Sequence, residues 1–133
     1  MSSGEAMLPP ESRPAESSPA GGAAFGRLKK RAEFLAVAGR GRKQGRGALL
    51  VQVLQHGEGQ VRLGFTATKK LGNAVVRNRA KRRMRAAARA EFAAKPAPGH
   101  DIVLVAREAI RQNSFADLRE DLRAALIKLG LPR

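Results

Sequence analysis

A basic segment with a regular apolar stripe, residues 73–94, is the feature that most constrains how this chain can fold. Its apolar side chains recur at helical spacing and would lie within an arc of roughly 80° on a helix; they are Val76, Ala80, Met84 and Ala87. Asn73 is a suitable N-cap, and Pro96 ends the pattern. The apolar stripe needs a core to cover it. Because every charged residue from Arg77 to Arg89 is a cation, the opposite side of the helix is expected to be a basic face.

The positive charge is concentrated in two segments. The 133 residues carry a formal net charge of +15. Ten cations and no acidic residue occur from Arg62 to Arg89, and the segment from Arg27 to Arg46 has eight cations against Glu33 alone. This concentration costs stability through self-repulsion, and a polyanionic partner would compensate for it.

Other features narrow the class of protein. Cysteine is absent, which excludes disulfides and thiolate metal sites. No apolar run is long enough for a membrane span, and no signal-peptide pattern opens the chain, so we expect a cytoplasmic protein with no membrane partner. Residues 1–26 are rich in Pro, Ser, Ala and Gly, which is typical of a disordered tail. We expect one basic domain over 27–133.

The hydrophobic patterns predict an α+β fold. Besides the basic helix, we expect helices over 27–38 and 114–129, strands over 48–55, 60–68 and 101–106, and a Gly-rich loop over 40–47. The first two strands flank a turn signal at His56–Gly59 and should form a β-hairpin. The third is nearly all apolar, which is typical of a strand covered on both faces.

These elements give the order α-β-β-(β)-α-β-α, with a possible extra strand near the hairpin, in a single-domain α/β sandwich. The strands on either side of the basic helix should form a parallel pair joined by a crossover. The first helix is expected to bury Leu28, Ala32, Leu35 and Ala36. The last helix is expected to bury Phe115, Leu118, Leu122, Ala125, Leu126 and Leu129.

The outer face of the basic helix is the main candidate for binding. A solvated surface is the alternative, but such surfaces usually place Glu or Asp four residues from a cation, and here there is none. Arginine suits phosphate binding because its planar fork can donate two hydrogen bonds to one phosphate. Helix geometry alone leaves RNA and DNA both open.

The segment LGFTATKKLGNAVVRNRAKRRMR, from Leu63 to Arg85, strongly resembles the signature region of the bacterial ribonuclease P protein subunit. The resemblance extends upstream to Arg27–Lys30 and Phe34 and downstream to Asp101–Arg107. It covers about residues 27–129, and the 1–26 tail lies outside it.

This resemblance implies a small α/β sandwich with a left-handed βαβ crossover around the motif helix. It also implies a protein that catalyses nothing itself and holds no metal. Its partner would be a catalytic RNA subunit that, with Mg²⁺ held mainly by that RNA, removes the 5′ leader of precursor tRNA. The protein would be a monomer in a one-to-one ribonucleoprotein, binding the RNA through the motif helix and the leader in a cleft between the first helix and the sheet.

The resemblance, together with the outer face of the basic helix and the nearby cations, gives candidate residues for both surfaces. The predicted RNA-binding residues are Lys69, Lys70, Asn73, Arg77, Asn78, Arg79, Lys81, Arg82, Arg85 and Arg89. The predicted leader-binding residues are Phe34, Arg62 and Lys69. Two positions depart from the family pattern: Ala38 stands where relatives often have a second aromatic residue, and a cleft aromatic of the first strand is replaced near Val51.

No residue pattern for protein-based catalysis is present. His56 and His100 have no metal-ligand motif nearby and are expected to be ordinary surface residues. Two alternatives to a ribonuclease P subunit remain open from the residues: a ribosomal or other structural rRNA-binding protein, and a DNA-binding architectural protein.

Overall fold

A computed structural model of the chain describes residues 25–131. Within this range the chain forms a five-stranded mixed sheet and three α-helices. The strands are β1 (Gly26–Arg27), β2 (Arg42–Arg46), β3 (Leu49–Gln55), β4 (Arg62–Thr66) and β5 (His100–Ala106). The helices are α1 (Arg31–Arg40), α2 (Ala74–Ala94) and α3 (Phe115–Lys128), and short 3₁₀ helices span Lys69–Leu71 and Glu108–Arg111. The α+β class predicted from the sequence is confirmed.

The strand order across the sheet is β1-β4-β5-β3-β2. β4 and β5 are parallel neighbours joined through α2, as predicted. The left hand of this crossover remains a prediction of the family resemblance. β5 lies at the centre of the sheet, and it is buried on both faces: Ile102 and Leu104 face one cluster of apolar side chains and Val103 faces another.

The predicted hairpin between β3 and β4 is wrong, because β5 lies between these two strands. The glycine-rich loop after β3 crosses the end of β5 instead of turning back. The amides of His56 and Gly57 donate to the carbonyl of Gly99 at 2.7 and 3.1 Å, and the amide of Gly99 donates to Gly59. The apolar β5 therefore pairs with β3 on one side and with β4 on the other. A hairpin pairing β3 directly with β4 would have excluded this arrangement.

The predicted loop over 40–47 is also wrong in part, since it contains β2, which pairs antiparallel with β3. β2 is a mostly exposed edge strand of sequence RKQGR, so it lacks the apolar alternation by which strands are recognised. Its cations suit an edge, because charged side chains oppose pairing with a second sheet.

The first helix begins four residues later than predicted, and its predicted apolar stripe is wrong in part, since Ala32 and Leu35 are exposed. Leu28 is buried from the extended segment before the helix, whereas Leu35 is 57% exposed. Val37 is fully buried and Phe34 partly so. The last helix matches its prediction, with Ser114 accepting from the Asp117 amide at 3.0 Å, except that Phe115 in its first turn is 42% exposed.

Two residues assigned to the tail, Phe25 and Gly26, belong to the fold: Phe25 is buried and Gly26 starts β1. The rest of the predicted tail, residues 1–24, lies outside the described residues. Within residues 25–131, no helix combines the length and the apolar character needed to cross a membrane.

Candidate RNA-binding surfaces

α2 is held by its cap and by the core. The side chain of Asn73 accepts a hydrogen bond from the amide of Val76 at 3.0 Å, which satisfies one of the free donors at the helix start. The predicted core side is confirmed: Val76 is partly buried, and Ala80, Met84 and Ala87 are buried. α2 therefore presents one fixed side to solvent.

The outward side of α2 is cationic and lacks compensating carboxylates. Asn78, Arg79, Arg82 and Arg89 are exposed, while Arg77 and Lys81 are half-buried. Among residues 25–131, no carboxylate forms an ion pair with a cation between Arg77 and Arg89. The Nε of Arg77 is buried and has no hydrogen-bond partner. Such a surface suits a phosphate backbone.

Arg83 and Arg85 are drawn back from this surface. Arg83 donates to the carbonyl oxygens of Ile110 and Asn113, the second at 2.7 Å, and so joins α2 to the segment before α3. Burial, and then the charge of Arg79, lower the pKa of Arg83. The guanidinium of Arg85, a predicted RNA-binding group, lies 5.4 Å from the centre of the Phe65 ring.

Arg85 is also part of a group of like charges that the sequence did not reveal. Its pKa is lowered by burial and then by the charges of Arg27 and Arg89. Arg27 lies in β1, next to β4, which carries Phe65. The place of Arg27 near Arg85 could not be predicted, because β1 has only two residues and no periodic pattern.

Lys69 and Lys70 occupy the 3₁₀ helix between β4 and α2, where both are exposed. The amide of Gly72 donates to the carbonyl of Lys69 at 3.3 Å. Both lysines are thus exposed cations in the turn immediately before α2, and their binding to RNA stays a prediction.

The second candidate surface is the face of the sheet that carries α1. Phe34 packs there with Leu28, Val37 and Val103. Its ring lies directly over Gly64 of β4, where an added Cβ would collide with the ring. The predicted leader-binding aromatic is thus a half-buried side chain fixed against the sheet.

The expected replacement near Val51 does not fall on this surface. Val51 is fully buried in the cluster under α2 and α3. Side chains alternate along a strand, so Leu50, Gln52 and Leu54 are the residues of β3 on the α1 side. Ala38, on α1 itself, is half-buried.

Arg62, predicted to bind the leader, is engaged by two carboxylates. It donates to Asp101 through Nε at 2.8 Å and Nη2 at 2.6 Å, and to Glu33 through Nη1 at 2.9 Å. The hydrogen bonds to Asp101 are the main cause that raises the pKa of Arg62. His56 adds a contact to Asp101 at 3.2 Å. We call Glu33, Arg62, Asp101 and His56 the Arg62 network.

The Arg62 network also fixes the start of α1. Glu33 accepts hydrogen bonds from the amides of Lys29 and Lys30 at 2.9 and 3.0 Å. These bonds, more than the nearby Arg62, lower the pKa of Glu33. Because Glu33 precedes Phe34, the network positions the aromatic residue of the α1 surface.

Other polar residues near these surfaces have structural partners. His100 lies against the carbonyls of Ala97 and Pro98. Arg107 extends over Gly45 and reaches the carbonyl of Leu49 at 3.4 Å. Residues 25–131 contain no group of three or more His, Asp or Glu side chains suited to holding a metal ion.

The mixed sheet, the anchored basic helix and the unpaired cations define a small α+β protein that binds nucleic acid. The chain belongs to the ribonuclease P family, since the family model described as Ribonuclease P matches residues 23–130. Proteins of this family are components of an endoribonuclease ribonucleoprotein that processes tRNA, and they act with an RNA subunit. Membership favours this function over the rRNA-binding alternative.

Similar proteins agree with this assignment. The chain is 51% identical over 106 residues to a ribonuclease P protein component of Gluconacetobacter diazotrophicus, covering 79% of this chain and 91% of the relative. It is 46% identical to that of Ruegeria pomeroyi, covering 80% and 87%.

Solved structures of the family share the fold. The RNase P protein of Staphylococcus aureus superposes with a TM-score of 0.67 at 26% identity, covering 79% of this chain and 95% of that one. The protein from Thermotoga maritima gives a TM-score of 0.66 at 29% identity, covering 74% and 92%.

Proposed function

We propose that the outer side of α2 binds the catalytic RNA subunit and that the sheet surface beside α1 receives the 5′ leader of precursor tRNA. The observation that carries this proposal is the series of cations from Arg77 to Arg89, which no carboxylate of residues 25–131 neutralises. Binding to RNA replaces the condensed counterions of its phosphates with these side chains.

The two surfaces have different chemistry, which suits different parts of the RNA. α2 offers charge and planar guanidinium groups, which favour the phosphate backbone of a folded RNA. The α1 surface offers the Phe34 ring in one cluster with the half-buried apolar side chains of Leu54 and Val105. Bases of a single strand stack on such groups, so the leader of a precursor, absent from mature tRNA, gains contacts here.

The cations also reduce repulsion between two polyanions. A catalytic RNA and its tRNA substrate both carry dense negative charge, and a protein of net charge +15 bound between them lowers the cost of their approach. The protein in this proposal contributes binding and positioning, with one copy for each RNA, in the cytoplasm.

Mg²⁺ in this proposal belongs to the RNA. The described residues include no group of three or more His, Asp or Glu side chains that could hold a metal ion, and two carboxylates beside the α1 surface, Glu33 and Asp101, already bind Arg62. The ion, when bound to the RNA, supplies an activated water for phosphodiester hydrolysis. The residues of this chain bind and orient the RNA around it.

Reconstitution tests the division of labour. The full chain is combined with the ribonuclease P RNA of the source organism, and cleavage of precursor tRNA is measured at near-physiological Mg²⁺. We expect leader removal with both components and none with protein alone. Cleavage by the protein alone, or RNA activity that the protein leaves unchanged, would contradict the proposal.

A further inference from the structure

A cavity of about 130 Å³ lies between α2 and the 3₁₀ helix Glu108–Arg111. Half of its lining is apolar and half is cationic: the lining residues are Val76, Ala80 and Ile110, and Arg79, Arg83 and Arg111. No carboxylate lines it. Water would find hydrogen-bond partners only at the arginines of such a cavity. An apolar side chain would match only its apolar half, so a ligand with both an apolar and an anionic part suits it better.

The three arginines are held to different degrees. Arg83 is fixed by the carbonyls of Ile110 and Asn113. Arg111 donates to the carbonyl of Leu71 at 3.3 Å and lies 3.6 Å from Glu108. Arg79 is exposed and forms no ion pair within residues 25–131. Arg79 is therefore free to bind a ligand while the other two keep their places.

Two of the three cations that line the cavity, Arg79 and Arg83, have no carboxylate partner within residues 25–131. Arg79 and Arg83 line the same cavity, and burial, followed by the charge of Arg79, lowers the pKa of Arg83. An anionic group entering between them would reduce the repulsion between their like charges and would meet planar donors suited to a phosphate.

We propose that this cavity holds one unpaired nucleotide of the partner RNA, with its base against the apolar lining and its phosphate at Arg79. Nucleobases stack on guanidinium planes as well as on apolar and aromatic surfaces, so both halves of the lining are used. A phosphate alone would contact the guanidinium groups and leave the apolar part of the lining, where Val76 is the most exposed residue, without a contact. The inference rests on the proposed function. In that function α2 contacts the phosphate backbone of the RNA, and the cavity adds a site for one unpaired nucleotide.

Filling the cavity tests this inference. Val76→Phe places a ring in the space, and Ile127→Phe is the control, since Ile127 is 54% exposed on α3 and outside the cavity. Affinity for the ribonuclease P RNA of the source organism is measured across a range of salt concentrations. We expect Val76→Phe to weaken binding about tenfold, with the loss persisting at high salt, and Ile127→Phe to bind like the wild type.

A second pair of variants covers the case in which Val76→Phe does not fold, as judged by thermal unfolding. Arg111→Gln removes one guanidinium from the cavity, and Lys128→Gln removes one positive charge from exposed α3. Only Arg111→Gln should weaken RNA binding at high salt. Wild-type affinity for Arg111→Gln and for any folded Val76→Phe would overturn the inference. Failure of the wild type to bind the RNA would instead overturn the proposed function.

The methyl signals of the full chain provide an independent test. We expect a nucleoside 5′-monophosphate to shift the methyl resonances of Val76 and Ile110, and inorganic phosphate at the same concentration to leave them in place. Equal shifts with both probes would reduce the cavity to a simple anion site and contradict the inference.

Discussion

At the scale of single residues, Phe34 is a proposed leader-binding side chain that also packs in the smaller apolar cluster. One side of its ring rests on Gly64, where any side chain would collide. The sequence identified Phe34 through the family motif. The requirement for glycine on the neighbouring strand emerged only from the packing, because residues 34 and 64 are brought together by the tertiary fold.

Phe34→Ala should weaken the binding of precursor tRNA by the reconstituted ribonucleoprotein more than the binding of mature tRNA. The physical reason is the loss of a stacking surface that only the leader uses, worth about 1–3 kcal/mol per stacked base. Affinities for both tRNA forms provide the measurement. Leu35→Ala is the matched control, because Leu35 is the next residue of α1 and is largely exposed. Equal losses for the two tRNAs would mean that Phe34 is purely a core residue.

At the scale of elements, the start of α2 was predicted to within one residue, whereas the start of α1 was predicted four residues too early. α2 has 21 residues, a working N-cap and a regular apolar stripe. α1 has ten residues, with a single fully buried one, Val37, so its periodicity carries little information. Long, strongly patterned helices are recognisable from sequence, whereas short ones are oriented by what they pack against.

The outer face of α2 makes a quantitative prediction about salt. Replacing Arg79 and Arg82 with Ala should flatten the log–log dependence of RNA affinity on salt by about one unit for each lost phosphate contact. The affinity for the RNA subunit, measured over a range of salt concentrations, gives the slope. Lys128→Ala, which removes an exposed cation from α3, should leave the slope as it is. A slope unaffected by the double substitution would place both arginines in solvent.

At the scale of the whole molecule, the Arg62 network joins elements that are distant in sequence. Arg62 of β4 connects Asp101 of β5 with Glu33 of α1. Arg62 was predicted to bind the leader because the cleft lacks aromatic residues that relatives have, which leaves more of the binding to cations. The structure shows that two acidic partners from other elements hold it, and its contact with the leader stays a prediction.

Glu33→Gln should lower the free energy of unfolding at neutral pH, and the difference from wild type should shrink on acidification. The pKa of Glu33 is below its ordinary value of 4.5 in the folded state. Its ionised form therefore stabilises the fold above that ordinary value, and the stabilisation is lost as pH falls through the lowered pKa. Chemical unfolding at several pH values measures this, with Glu120→Gln on exposed α3 as the control. A difference that is independent of pH would exclude the carboxylate charge as the cause.

The sequence by itself determined the basic helix, its apolar side, the two caps at Asn73 and Ser114, and the family. Each of these depends on residues close together in the chain, where spacing alone sets which side chains share a face. Only the tertiary structure decided that β5 separates β3 from β4, that Val51 lies under α2 and α3, and that Arg62 is paired. Those outcomes follow from competition among distant segments for burial, and the most apolar strand took the centre because that position covers both of its faces.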